Sequence, residues 1–122
     1  MISILISIVD DDPVVRDATA DLLNSLGYTA LGFQSAEEFL DSGRIKSTAC
    51  LITDQQLPGL SGTELQAQLQ ADGYRTPIIF ITAFPEPRIR DKALGAGAVA
   101  FLAKPFEQAA LLRSIESAFA IH

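Results

Sequence analysis

Residues 4–13 read ILISIVDDDP, a strand-like run that ends abruptly in three carboxylates and a proline. Short runs of β-branched and aliphatic residues favour extended structure, and a run with almost no polar interruption fits a strand buried on both faces. Asp12 has the side chain of a helix cap and Pro13 suits the first helical position, so a helix is predicted to begin at once. Val15, Ala18 and Leu22 supply its apolar stripe, and Gly27 closes it.

Outward from this segment the same alternation repeats. Strand-like runs are read at Ile4–Val9, Tyr28–Phe33, Ala49–Thr53, Ile78–Ile81 and Ala98–Leu102, each separated from the next by a helical pattern. Strands alternating with helices predict an α/β domain, a parallel sheet wrapped by helices on both faces. The first, third and fourth runs are the most apolar and belong in the centre, while Thr29 and Gly32 mark the second as an edge. Ser35 with Glu38, and Ser61 with Glu64, have capping-box spacing ahead of Phe39–Leu40 and Leu65–Leu69. After Pro105, Leu111, Leu112, Ile115 and Phe119 form the inner face of a last helix. Pro85, Pro87 and Gly95 confine the fourth helix, which is predicted to be short and mobile. Ser42–Thr48 reads as a polar connection, and with no repeat or linker in view residues 1–122 are expected to form one domain.

Composition narrows the function. A net charge of −6 with only nine scattered basic residues argues against direct nucleic-acid binding and against an anionic membrane surface. The apolar N-terminal stretch Ile2–Val9 is too short to span a bilayer and lacks a signal peptide's basic flank, so a cytoplasmic location is expected. Cys50, the single cysteine, lies in an apolar run and is expected to be a buried structural thiol. His122, the only histidine and the last residue, is read as a frayed terminus without a catalytic or metal role.

In a parallel sheet built with right-handed crossovers, the carboxyl ends of all strands lie on one edge, and ligands bind there beside the point where strand order reverses. That edge collects Asp10, Asp11 and Asp12 after the first strand, Asp54 after the third, Thr82 after the fourth and Lys104 after the fifth. With the first and third strands adjacent, Asp10, Asp11 and Asp54 crowd one cleft and call for a cation; an all-oxygen site of that size suits magnesium. A carboxylate beside magnesium can attack phosphorus, which makes Asp54 the candidate nucleophile, with Lys104 offsetting charge on the transferring oxygens. Pro58 and Gly59 delay the next helix and leave the Gln56 backbone carbonyl free to face the metal. Singly, each residue has a plain role: Asp12 as a cap, Asp54 as a turn residue, Thr82 and Lys104 as solvated strand ends. Their coincidence on one edge is what points to chemistry.

The segments VDDD, TDQQLPGLSG, FITAF and GAGAVAFLAKPF resemble the receiver domains of two-component response regulators, and are most similar to the FixJ-type subgroup. The resemblance implies a CheY-like, flavodoxin-like fold: a three-layer, doubly wound sandwich whose five-stranded sheet runs 2-1-3-4-5 with five helices. It further implies that Asp54 is the phosphoacceptor and that Asp11, Asp54 and the Gln56 carbonyl bind magnesium directly, with Asp10 acting through water. Lys104 would pair with phosphoryl oxygens across a cis Lys104–Pro105 bond, Thr82 would hydrogen-bond the phosphoryl group, and Phe101, otherwise a core aromatic by strand alternation, would turn inward as Thr82 moves. The implied donor is a sensor histidine kinase, a phosphotransfer protein or a small phosphodonor. The implied output face is the fourth helix, fifth strand and fifth helix, through which a phosphorylated homodimer could form, with transcription controlled by a further DNA-binding domain. Departures are Gln55, Leu57 and the Phe84–Pro85 loop; Gln56 and Phe84 flank the path of an attacking water.

The domain is therefore expected to be a phosphoacceptor switch rather than an enzyme with turnover. A magnesium phosphohydrolase of the haloacid dehalogenase type would need its nucleophile after the first strand, whereas here it follows the third. A degenerate receiver used only for docking would have no need of the full set of side chains.

Overall fold

The computed structural model describes residues 4–121; His122 lies outside them. In chain order the elements are β1 (Leu5–Val9), α1 (Pro13–Ser25), β2 (Thr29–Phe33), α2 (Ala36–Asp41), β3 (Thr48–Asp54), α3 (Gly62–Ala71), β4 (Ile78–Thr82), α4 (Pro87–Gly95), β5 (Ala100–Ala103) and α5 (Gln108–Ile121). The five strands form one parallel sheet in the order β2-β1-β3-β4-β5, as the sequence predicts. Strand order reverses between β1 and β3, which therefore lie side by side with Val9 opposite Thr53.

Side-chain alternation along the strands divides the core into two clusters. Ile6, Ile8, Cys50, Ile52, Ile79 and Ile81 pack with Leu23 of α1 and Leu111, Ile115 and Ala118 of α5. Val9, Leu51, Ile78 and Phe80 pack on the opposite face with Ala36 and Phe39 of α2, Leu65 and Leu69 of α3, and Ala93 of α4. The doubly wound sandwich is thus explicit in the burial pattern. Cys50 is a buried free thiol, its pKa pushed up to about 12 by burial, in keeping with a structural role.

Asp12 and Ser61 cap α1 and α3 as predicted: Val14 N–H donates to Asp12 Oδ1 at 2.9 Å, and Ser61 with Glu64 form the full reciprocal box. At Ser35 the structure gives the hydroxyl half, Glu38 N–H to Ser35 Oγ at 3.1 Å.

Three strands start later than predicted: β1 by one residue, at Leu5, and β2 and β5 for a shared reason. Tyr28 and Ala98 each follow a glycine at positive φ, Gly27 (94°) and Gly97 (104°), which end α1 and α4. Tyr28 N–H returns to the Leu23 carbonyl at 3.1 Å and Ala98 N–H to the Ala93 carbonyl at 3.0 Å, closing a Schellman turn. Those residues are committed to helix caps, so β2 begins at Thr29 and β5 at Ala100. The fourth helix is short, as predicted, at nine residues, and α2 is shorter still with six. Among the described residues no helix is long and apolar enough to cross a membrane.

Candidate functional site

The sheet register fixes what the strand tips bring together. Val9 pairs with Thr53, Asp54 with Ile81, and Thr82 with Ala103, so the next residues, Asp10 and Lys104, emerge beside Asp54 and Thr82. Asp10, Asp11 and Asp54 each offer a carboxylate oxygen, and those oxygens lie within 4.8 Å of one another. Asp10 is fully buried, Asp54 is 5% exposed, and Asp11 is open to solvent. The cluster is therefore a cleft with a buried floor and an accessible lip.

Lys104 reaches into this floor. Its Nζ donates to Asp54 Oδ2 at 2.9 Å and forms an ion pair with Asp10 Oδ2, also at 2.9 Å. The approach to Asp10 is off the hydrogen-bonding direction, so Asp10 Oδ2 is a buried oxygen without a hydrogen-bond partner. The other oxygens are oriented by backbone: Asp12 N–H donates to Asp10 Oδ1 at 2.9 Å and Gln56 N–H to Asp54 Oδ1 at 3.2 Å. Lys104–Pro105 is cis, as the resemblance implied.

The chain matches the family described as response regulator receiver domain over residues 6–116. It belongs to that family.

Among its relatives, the receiver domain is 36% identical over 115 residues to the transcriptional regulatory protein FixJ of Azorhizobium caulinodans, covering 94% of this chain and 54% of the relative. It is 40% identical over 114 residues to the response regulator protein TodT of Pseudomonas putida, covering 93% and 50%. The chain thus spans about half the length of the curated relatives it matches. The crystal structure of FixJ-N superimposes with a TM-score of 0.84 at 35% identity, covering 97% of this chain and 94% of that one. Receiver domains of this kind are signalling switches phosphorylated by histidine kinases, and they bind magnesium at an acidic pocket.

The electrostatics of this receiver domain fit a divalent ion. Three carboxylates face one ammonium group, which leaves two negative charges uncompensated in a partly buried cleft. The donors are all oxygens, and the orphaned Asp10 Oδ2 is the kind of atom an ion or its water would satisfy. The Gln56 carbonyl accepts no hydrogen bond from the described residues. Burial raises the Asp54 pKa above its ordinary value and Asp10 adds to the rise, against the hydrogen bond and charge of Lys104 and the Gln56 N–H. Burial opposes the charge on Lys104 too, but the two carboxylates it faces, Asp10 and Asp54, outweigh that, and its pKa is held above the usual lysine value.

Thr82, expected just after the fourth strand, is the last residue of β4, and Phe101 lies in β5. Thr82 is buried. Phe101 is half-buried, with its ring 5.8 Å from that of Phe80. Phe84, two residues beyond Thr82, is 68% exposed.

Four residue pairs around the site make polar contacts that the sequence does not signal. The Thr82 hydroxyl donates to Gln56 Oε1. Buried Gln55 accepts from Thr63 N–H at 2.9 Å and donates to Thr63 Oγ1 at 3.1 Å, pinning the loop after β3 to α3. Glu37 accepts Leu60 N–H at 3.0 Å, tying the same loop to α2. Arg16 Nη1 donates to the Asp10 carbonyl at 2.8 Å. Each joins residues far apart in sequence or binds side chain to backbone, and neither periodicity nor motif spacing signals such contacts.

Proposed function

We propose that Asp54 accepts a phosphoryl group from a histidine kinase, a phosphotransfer protein or a small phosphodonor, in a magnesium-dependent reaction. The observation that carries this reading is the convergence of Asp10, Asp11 and Asp54 from two strand tips, with Lys104 bridging the two buried carboxylates. The Asp54 carboxylate attacks phosphorus, the bond from phosphorus to the donor breaks, and an acyl phosphate is left on Asp54. Asp10, Asp11, Asp54 and the Gln56 carbonyl would hold the ion, which supplies positive charge against the phosphoryl oxygens. Lys104 exchanges its contact with the Asp54 carboxylate for one with a phosphoryl oxygen, and the Thr82 hydroxyl donates to another. Phe101 then packs inward behind Thr82, and the surface of α4, β5 and α5 changes, opening it to an output or to a second copy of the chain.

On this reading residues 1–122 act as one cytoplasmic receiver module that binds neither nucleic acid nor membrane itself. The two relatives are named as regulators, one of them transcriptional, so control of transcription through a further domain is the output proposed for the whole protein. Incubation with magnesium and acetyl phosphate should add one phosphoryl mass to the intact chain, and Asp54→Asn should abolish it. A mass that stays unchanged across donors and times would contradict the reading, while turnover of a generic phosphomonoester would favour a phosphohydrolase instead.

A further inference from the structure

Thr82 has one hydroxyl proton, and in this structure that proton is already committed. The hydroxyl donates to Gln56 Oε1 and accepts from Phe84 N–H at 3.1 Å, so its donor is used and one acceptor site is filled. Gln56 comes from the loop after β3 and is exposed, whereas Thr82 ends β4 and is fully buried. The contact therefore spans two strand tips on the rim of the acidic cleft, held from the solvent side.

We propose that Gln56 is a positioning residue that latches Thr82 in the resting state by competing with the phosphoryl group for the same proton. The inference rests on the reading that Thr82 donates to phosphoryl oxygen. A hydroxyl cannot give a full hydrogen bond to two acceptors at once, so each phosphorylation must first break or trade the bond to Gln56. Breaking it frees Thr82 to rotate toward Asp54 and frees the exposed Gln56 amide to return to water. Because the Phe84 N–H is bound to the same hydroxyl, movement of Thr82 also releases the start of the exposed loop that leads into α4. The latch thus links occupancy of Asp54 to the β4–α4 connection, and its strength sets how far the unphosphorylated population is biased toward rest. Nothing in this scheme requires Gln56 to touch the reacting atoms.

A double-mutant cycle tests it, with binding of beryllofluoride, a tetrahedral mimic of a phosphoryl group on a carboxylate, measured in the presence of magnesium. Gln56→Met keeps length but removes the acceptor, and Thr82→Val removes the donor. With one neutral hydrogen bond at stake, Gln56→Met should tighten beryllofluoride binding about fivefold in the wild-type background and leave it unchanged in the Thr82→Val background. In the absence of the mimic, Gln56→Met should also move the Thr82 and Phe84 amide resonances toward their positions in the beryllofluoride complex. The proposal is overturned if Gln56→Met fails to tighten binding, or tightens it equally in both backgrounds. If wild type and all variants fail to bind the mimic, it is the phosphoacceptor reading that fails first, and the latch falls with it.

Discussion

Ile52 and Asp54 stand two residues apart on β3, and their environments could hardly differ more. Ile52 is sealed among aliphatic side chains from β1, β4, α1 and α5. Asp54, nearly as buried, sits among two more carboxylates and one ammonium group. In the strand interior, burial is favourable and non-directional, so it sets fold and stability. At the strand tip, burial is unfavourable for every charge present and is tolerated only through directed contacts, so the tip is held by what surrounds it. The sheet interior thus supports an arrangement of charges that would not assemble by itself, ready to respond when a cation or a phosphoryl group changes the balance.

Substitutions at the two places should separate these roles. The largest stability loss is expected for Ile52→Ala, about 3–4 kcal/mol in denaturant unfolding, because it opens a cavity in a cluster with no solvent access. Phosphate incorporation by the fraction that stays folded should survive. Lys104→Met should cost slightly less, about 3 kcal/mol without magnesium, since it leaves two buried carboxylates without their cation. Unlike the interior variant, it should also lose most of its phosphorylation.

Asp54→Asn should have the opposite sign. It removes a charge whose burial is unfavourable, while its side-chain oxygen can still accept from Lys104, so the variant should melt above wild type in metal-free buffer. The Asp54 pKa is raised in the folded state. Its contribution to stability is therefore fully present below the ordinary value of 3.8 and lost as pH rises through the folded value. The advantage of Asp54→Asn should accordingly be greatest near neutrality and vanish in acid, which paired melting curves across that range would show. The smallest effect is expected at the exposed α3 cap: Ser61→Ala, which removes the hydroxyl half of that cap, should cost about 1 kcal/mol and leave magnesium binding unaltered.

Most of this contrast was legible in the sequence because it depends on periodicity. The uniform apolar runs at β1, β3 and β4 and the polar residue at or just past the end of each are visible without coordinates, and parallel topology then places the tips on one edge. The strand starts at Tyr28 and Ala98 misled because apolar residues look alike whether they enter a ladder or close a Schellman turn. The fourth helix begins with Pro87 at its first position and ends at Gly95, as the prolines and glycine predict; what the sequence did not signal is that Gln66 and Gln70 of α3 donate to the carbonyls of Ala93 and Ala96 at its far end, at 3.1 and 2.6 Å. The side-chain contacts of the glutamines were the least legible feature. Gln55, Gln56, Gln66 and Gln70 all make tertiary contacts, yet a long neutral amide carries no patterning signal that separates such a role from simple solvation.

The central claim, that carboxylates from β1 and β3 jointly form one cation site around Asp54, is tested most directly by titrating the metal-free protein with magnesium while following backbone amide resonances. One saturable site is predicted, with the shifts centred on Asp10, Asp11, Asp54 and Gln56, absent in Asp54→Asn and weakened at least tenfold in Asp11→Asn. Binding that is indifferent to both substitutions, or shifts centred on the exposed acidic residues of α2, would contradict it.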